Sequence, residues 1–312
     1  MRILVTGGAG FIGSNVADRF LALGHDVAVL DNLSTGRVEN VDPRVKLYKA
    51  DLVDRAGVDM AVEDFRPDVV DHHAAQIDVR HSVENPVFDA TTNVLGGIGL
   101  LESCLRHGVK KFIYASTGGA LYGEGRQLPA TEEHPAHPES PYGVSKLALE
   151  HYVYCFRHVH GLDATVLRYP NVYGPRQNPH GEAGVNAIFI GLMSEGKAPT
   201  IFGDGEQVRD YLYVDDVVRA NELALTRGSG ATVNLGWGRG VSVNDIVREL
   251  KTILGFPGEA IHEAARAGEV QKIYLDATRA GEVLGWKPEV PFAEGLRRTV
   301  AWYKSERTAG RR

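Results

Sequence analysis

Residues 2–24 read RILVTGGAGFIGSNVADRFLALG, and the turn in their middle decides the fold. RILVT is a short apolar run of the kind that forms a buried strand. FIGSNVADRFLALG (11–24) then carries helical spacing and stops at Gly24, a residue type that ends helices. Between them TGGAGFIG (6–13) places Gly7, Gly10 and Gly13 three apart, and Gly8-Ala9-Gly10 with Gly13 also fits G-x-G-x-x-G. A strand-to-helix turn uses one glycine for the tight turn, one so that backbone can approach a pyrophosphate, and one for packing helix on strand. The helix N-terminus then offers free N–H groups and a positive dipole end to the phosphates. The next run, DVAVL (26–30), is followed by Asp31, 18 residues past Gly13. That is near the spacing at which a carboxylate accepts from an adenosine ribose. A carboxylate there repels a 2′-phosphate and favours NAD over NADP. In isolation Asp31 reads equally well as a turn residue before Asn32; strand, turn, helix and acid together favour a nucleotide.

Outward from this turn, the first half of the chain alternates two periodicities. VKLY (45–48), DVV (68–70), KFIYA (111–115) and ATVLRY (164–169) look like further buried parallel strands, and TTNVLGGIGLLESCLRHG (91–108) is a second helical stretch ending in glycine. Strand–helix alternation predicts an α/β fold with a doubly wound parallel (Rossmann) sheet. Beyond Tyr169 the pattern loosens and proline, glycine and charge become frequent. The expected division is a nucleotide-binding domain over residues 1–169, with a return around 210–240, and a smaller interleaved α/β domain over 170–312. No internal repeat is visible, and SERTAGRR (305–312) reads as a frayed tail.

The 312 residues are 43% hydrophobic and 24% charged, an ordinary globular composition. A net charge of -6 gives no basic footprint for nucleic acid or an anionic membrane. The apolar run of MRILVTGG stops at Gly7, short of the roughly 7–15 residues of a signal-peptide core. No run approaches the ~18 needed to span a bilayer. Two cysteines, Cys104 and Cys155, in no CxxC spacing, fit a reducing, cytoplasmic compartment with both thiols buried. His72-His73 are adjacent at a strand end rather than at ligand spacing, and no H-E-x-x-H or cysteine cluster occurs, so no metal is expected.

One helix carries chemistry. PYGVSKLALEHY (141–152) sets Tyr142 four residues before Lys146, which puts both groups on one helix face. Bringing a tyrosine pKa from near 10 to about 7 takes roughly 4 kcal/mol. One ammonium about 4 Å away supplies on the order of 4 kcal/mol at an effective dielectric of 20. With NAD bound nearby, Tyr142 can act as base and acid toward a sugar hydroxyl. An aromatic packing residue beside a snorkelling lysine is the alternative for an isolated YxxxK.

Taken with TGGAGFIG and SPYGVSK, the segments DNLSTG, KADLVD, HHAAQ, TTNVLGG, ASTGGALYGE, RYPNVYGPRQ, VRDYLYVDDV, ARAGEV and LGWKP give the chain its resemblance, nearly end to end, to the extended short-chain dehydrogenase/reductase family, and within it to the UDP-sugar 4-epimerases. The resemblance implies NAD as cofactor, a UDP-sugar as substrate and a homodimer joined through two helices of each subunit. On the cofactor side it implies Gly7, Gly10, Phe11, Ile12 and Gly13 at the turn, with Asp31, Asn32, Ser34, Thr35 and Gly36 after the second strand. Asp51 and Leu52 should sit at the adenine, Ala74 and Ala75 near the diphosphate, and Asn93 behind the catalytic tyrosine; Tyr142, Lys146 and Tyr169 also face the cofactor. Thr117, or alternatively Ser116, matches the hydroxyl that bridges sugar O4 and the phenol. Val79, Asn171, Val185, Phe202, Arg209, Arg266 and Glu269 match substrate contacts, with Asn171, Arg209 and Arg266 toward the phosphates, Phe202 by the uracil and Glu269 on the uridine ribose. Arg209 pairing with Asp210, and Phe202 in the core, are the competing structural readings.

The implied reaction is redox-neutral. Tyr142 takes the 4-OH proton while hydride leaves C4, and hydride returns to the other face of the 4-keto sugar. The related 4,6-dehydratases carry Thr-Asp-Glu where this chain has Thr117-Gly118-Gly119, which lacks both acids. The loop also has one extra residue before Tyr122-Gly123, which keeps Ser116 and Thr117 both open. UDP-glucuronate epimerases tend to place an arginine after YGPRQ, where Asn178 stands here, and a neutral amide cannot balance a carboxylate. UDP-glucose/UDP-galactose is therefore favoured, with the N-acetyl and uronate forms and a non-catalytic NAD-binding protein as alternatives.

Overall fold

Six of the apolar runs form six parallel strands in the computed structural model, which describes residues 1–179, 184–265 and 270–308. They are β1 (Arg2–Thr6), β2 (Asp26–Asp31), β3 (Lys46–Lys49), β4 (Val69–His72), β5 (Lys111–Thr117) and β6 (Asp163–Tyr169). A seventh strand, Thr232–Asn234, pairs with β6, and the sheet runs β3-β2-β1-β4-β5-β6 and then this strand. That is the doubly wound order expected from the alternating sequence. Successive strand side chains point to opposite faces, and both faces are buried here. Ile3, Val5, Val29 and Val69 pack on one side, Leu4, Ala28, Leu30 and Val70 on the other.

The helices that matter for the site are α1 (Phe11–Ala22), α2 (Arg55–Phe65), α3 (Val79–Glu84), α4 (Pro86–Ala90), α5 (Gly96–Arg106) and α6 (Pro141–His160). The stretch read as one helix over 91–108 is broken: a π-helical turn, Thr91–Leu95, separates α4 from α5. Such single turns are rare and recur at functional sites. α6 has the ends its sequence asks for. Ser140 accepts from the Gly143 N–H, Pro141 opens the first turn, and Gly161 closes the helix at φ 73°.

Two expectations fail. Cys104 is buried, but Cys155 is exposed, because its place on α6 lies on the stripe turned away from the sheet. Residues 305–308 continue the helix Phe292–Thr308 rather than fraying, while the rest of the expected tail, 309–312, lies outside the described residues; that helix buries Phe292, Leu296, Val300 and Tyr303. No helix among the described residues is long and apolar enough to cross a membrane.

The residues after β6 build small sheets. Asn171–Tyr173 pairs with Tyr211–Tyr213, Val208–Arg209 with Val241–Ser242 and Lys272–Ile273, and Thr200–Phe202 with Ile261–Glu263. One buried network links this half to α6. Glu150 accepts from Arg168 Nε at 3.0 Å and Nη2 at 2.6 Å, and from the Ser116 hydroxyl at 2.5 Å. Arg168 also donates to the Tyr122 hydroxyl, which donates to Asn234 Oδ1, both at 2.7 Å. Removing one member of a buried pair strands the other charge, at about 3–5 kcal/mol. Arg168→Leu should lose that much stability in urea unfolding, and Arg168→Leu with Glu150→Leu should recover most of it. A loss no larger for the single variant than for the double would show that the pair is not buried in solution.

Candidate active site

β1 sits between β2 and β4, where the strand order reverses, and ligands bind in α/β sheets at the crevice this leaves at the carboxyl ends of the strands. A cavity of about 760 Å³ opens there. Its wall brings together Gly7, Gly10, Phe11, Ile12 and Gly13 of the turn; Asp31, Asn32, Ser34, Thr35 and Gly36 after β2; and Asp51, Leu52, Ala74 and Ala75. Ser116, Thr117, Tyr142, Lys146 and Tyr169 also line it. These residues come from widely separated parts of the sequence, and the fold makes one surface of them.

The turn fits a dinucleotide. Gly7 has φ 70°, and a Cβ on it would lie 2.6 Å from the Ala74 nitrogen; one on Gly13 would lie 2.4 Å from the Gly7 oxygen. The backbone is thus pressed together as a pyrophosphate cradle requires. Asp31 is buried at the end of β2, where Oδ2 accepts from the Ala9 N–H at 2.9 Å and Oδ1 from the Leu33 N–H at 2.8 Å. A carboxylate offers about four acceptor sites, so each oxygen keeps one for a ribose hydroxyl. Asn32 donates to Asp51 at 2.7 Å, joining the loops after β2 and β3.

At the other end of the cavity Lys146 is buried and donates from Nζ to the Ala115 carbonyl at 2.9 Å. The ammonium lies 5.9 Å from the centre of the Tyr142 ring and 5.1 Å from that of Tyr114. The Tyr142 N–H donates to Ser82 Oγ at 3.2 Å, which ties the first turn of α6 to α3. The two hydroxyls left open by the sequence differ. Ser116 Oγ donates into the buried Glu150 network, whereas Thr117 Oγ1 accepts from the Ala120 N–H at 3.2 Å on the side of Asn171. Tyr169 donates to Asn221 Oδ1 at 3.0 Å and stacks on His73. His72 Nδ1 is 2.7 Å from the Thr6 hydroxyl, and His73 Nε2 is 3.0 Å from Asp71.

Asn93 lies behind the wall, buried in the π turn, where Oδ1 accepts from the Gln76 N–H at 2.8 Å and Nδ2 donates to the Gln76 carbonyl at 2.9 Å. Its second acceptor, Asp89, is a residue that sequence reasoning missed, as it missed Gln76 and Ser145. An acid near a helix start, three residues after Pro86, carries no signal of burial.

Of the residues expected on the substrate side, Thr117 and Tyr142 line the cavity, whereas Val79, Asn171, Val185, Phe202 and Arg209 are not in its wall. Asn171 Oδ1 approaches Gly119 so closely that a Cβ there would lie 3.2 Å away. Arg209 does not pair with Asp210. Its guanidinium donates to the Val208 carbonyl at 3.0 Å, and the Asp210 carboxylate instead accepts from the N–H groups of Trp237 and Leu275. Phe202 ends its strand half-buried, and Val79 and Val185 each open a helix. Arg266 and Glu269 lie outside the described residues.

Residues 3–236 match the family described as the NAD dependent epimerase/dehydratase family. A putative UDP-glucose 4-epimerase of Methanocaldococcus jannaschii is 48% identical, over 97% of this chain and 98% of that one. The crystal structure of the UDP-glucose 4-epimerase of Thermotoga maritima with UDP-glucose superposes with a TM-score of 0.96 at 49% identity, covering 98% of this chain and 99% of that one. The UDP-glucose 4-epimerase of Thermus thermophilus in complex with NAD gives 0.93 at 45%, over 97% and 99%.

Burial pushes the Lys146 ammonium down to about 8, against Asp89 and Glu150, whose charges raise it. The folded value therefore lies below the ordinary 10.5. Below about 8 both folded and unfolded chains hold the proton, and the cost of burying the charge is fully present. Between about 8 and 10.5 the unfolded chain binds more protons, so stability rises with pH. The wild type should accordingly gain stability relative to Lys146→Met as pH rises from about 8 toward 10.5. Urea unfolding of both proteins at pH 7 and pH 10, with matched nucleotide content, measures it; a difference between the two that does not change from pH 7 to pH 10 would show the ammonium to be solvated.

Proposed function

Because the chain belongs to the NAD dependent epimerase/dehydratase family, we propose that it inverts C4 of a UDP-hexose, interconverting UDP-glucose and UDP-galactose with NAD held through turnover. The observation that carries this reading is the Lys146 ammonium fixed by the Ala115 carbonyl on the same helix face as Tyr142, at the cavity end where Thr117 stands. NAD, when bound, supplies the reversible hydride acceptor that a redox-neutral inversion requires.

The turn glycines would hold its diphosphate, Asp31 its adenosine ribose, and Asp51 with Leu52 the adenine edge. Tyr142 takes the 4-OH proton as C4 becomes a ketone and returns it when the alcohol is restored on the opposite face. Lys146 lowers the cost of the phenolate. Thr117 bridges the sugar hydroxyl and the phenol; Ser116 is left to structure because its proton is given to Glu150. Asn171 and Arg209 would hold the UDP phosphates and Phe202 the uracil, with Val79 and Val185 against the ligand. The first 169 residues with the return through Thr232–Asn234 then serve the cofactor and the remainder serves the UDP-sugar. Exposed Val144, Tyr152 and Val159 on α6, with Leu95 at the head of α5, support a homodimer through these two helices; a monomer in sedimentation velocity at micromolar concentration would remove that proposal. An exposed thiol at Cys155 fits the reducing conditions of the cytoplasm.

Purified protein given UDP-galactose and no NAD should form UDP-glucose, resolved by a coupled assay or by chromatography of the released sugars. Tyr142→Phe should lower kcat by about 10² or more with UDP-sugar binding nearly intact. Accumulation of an oxidised sugar at the expense of added NAD would replace the epimerase by a dehydrogenase. Sugar choice is read at Asn178, which lines the cavity, while Arg176 is turned to Asp18 at 2.6 Å. UDP-glucuronate should be a poor substrate, and Asn178→Arg should raise its kcat/KM relative to UDP-glucose by about 10- to 100-fold, the worth of a charge-assisted hydrogen bond. Efficient turnover of UDP-glucuronate by the wild type would overturn the neutral-hexose assignment.

A further inference from the structure

Asp89 takes no part in the steps above, yet its carboxylate is buried close to the reacting groups. It is fully buried in α4, where Oδ1 accepts from Gln76 Nε2 at 2.9 Å and Asn93 Nδ2 at 3.0 Å, and Oδ2 from Ser145 Oγ at 2.6 Å. All three partners donate, so Asp89 sits as an acceptor-only carboxylate. A buried charge needs hydrogen bonds and a counter-charge as well. No cation contacts Asp89 among the described residues. The nearest candidate is next in sequence to its third partner: Lys146 follows Ser145.

The groups facing Lys146 can be taken element by element. β5 offers the Ala115 carbonyl and the Tyr114 ring. β4 offers His72, an imidazole kept neutral by burial, with Lys146 and His73 adding to the effect. α6 offers Tyr142 and Glu150, and Glu150 is already matched by Arg168. α4 offers Asp89. One buried cation and one buried anion thus remain without a contact ion partner of their own, on either side of Ser145.

We infer that Asp89 is a positioning residue whose charge holds Lys146 as an ammonium beneath Tyr142, while its hydrogen bonds fix the π turn and the Gln76 loop. The inference rests on the reading of Lys146 as the group that favours the phenolate. Without the carboxylate, only Glu150 and the Ala115 carbonyl would oppose burial and the ammonium would lose its proton nearer neutrality, consistent with the part Asp89 plays in the fields acting on Lys146.

The test is Asp89→Asn. An asparagine keeps the shape and the heavy-atom contacts: its Oδ1 accepts from Gln76 and Asn93, and its Nδ2 donates to the Ser145 hydroxyl with that bond reversed in direction, so the charge is removed while the packing is kept. Ser145→Ala is the complement, which removes one hydrogen bond and keeps the charge. The alkaline limb of the kcat–pH profile should move to lower pH by about one unit, tenfold in proton affinity, in Asp89→Asn. It should stay at the wild-type position in Ser145→Ala even where kcat falls. A second readout does not need turnover: the pH at which the stability difference between Lys146→Met and its parent begins to change, set by the folded-state pKa, should move down by about the same amount in the Asp89→Asn background, while the upper end near 10.5 stays in place. An unmoved limb and unmoved stability range in Asp89→Asn, or an equal shift in Ser145→Ala, would overturn the inference. Failure of the wild type to epimerise would instead defeat the proposed reaction, and the stability readout would still decide the role of Asp89.

Discussion

The close approach of Gly7 to Ala74 is the constraint on which the rest of the molecule depends. β1 and β4 are neighbours in space but carry helices to opposite faces of the sheet, so their ends must part, and only the loop backbones meet across the opening. A side chain at residue 7 would strike the Ala74 nitrogen, and one at residue 13 would strike the Gly7 oxygen. Glycine at these positions keeps the opening narrow and lined with main chain. The loops after β2 and β3 then close one end, and β5, β6 and α6 close the other. Cofactor cradle and reacting helix are therefore set by the same sheet, which fixes their separation.

The second organising fact is how α6 carries charge into the interior. Along one helix, Tyr142, Lys146 and Glu150 recur every four residues and descend from the cavity into the core. The farthest along the helix, Glu150, is held by Arg168 on β6 and by Ser116 on β5. The next outward, Lys146, is held by a carbonyl, and the outermost is left half-buried. Burial of polar groups is tolerated where each has a partner, and a fully paired base keeps the upper groups from rotating. Ser116 and Thr117, adjacent in sequence, fall on opposite sides of this arrangement because strand side chains alternate.

Much of this was legible beforehand because it lies in local periodicity and spacing. The doubly wound parallel sheet followed from alternation, the cradle from three glycines, and the pairing of Tyr142 with Lys146 from helical repeat. What escaped was long-range. Asp89 resembles any acid in a first helical turn until the fold brings Ser145 and Asn93 to it. The π turn at Thr91–Leu95 has no local marker, since an extra residue in a helix is visible only through what it packs against. Pairing of Arg209 with Asp210, the competing reading that adjacency offered, does not form because adjacent side chains diverge in extended backbone, and each found main-chain partners instead. Cys155 was misjudged because residue type was weighed without the face of the helix that carries it.

The hydrogen bond from the Tyr142 N–H to Ser82 has a consequence for how the phenol moves. Ser82 donates in turn to the Val79 carbonyl at 2.6 Å, so the peptide of Tyr142 is moored to the start of α3 as well as to its own helix. With the main chain fixed, the side chain retains two torsions, χ1 and χ2. Reaching a ligand oxygen then demands rotamer selection alone, on the order of 1 kcal/mol, rather than the ordering of a loop at about 1–2 kcal/mol for every residue frozen. The entropy of orientation has been spent at folding, before any ligand arrives.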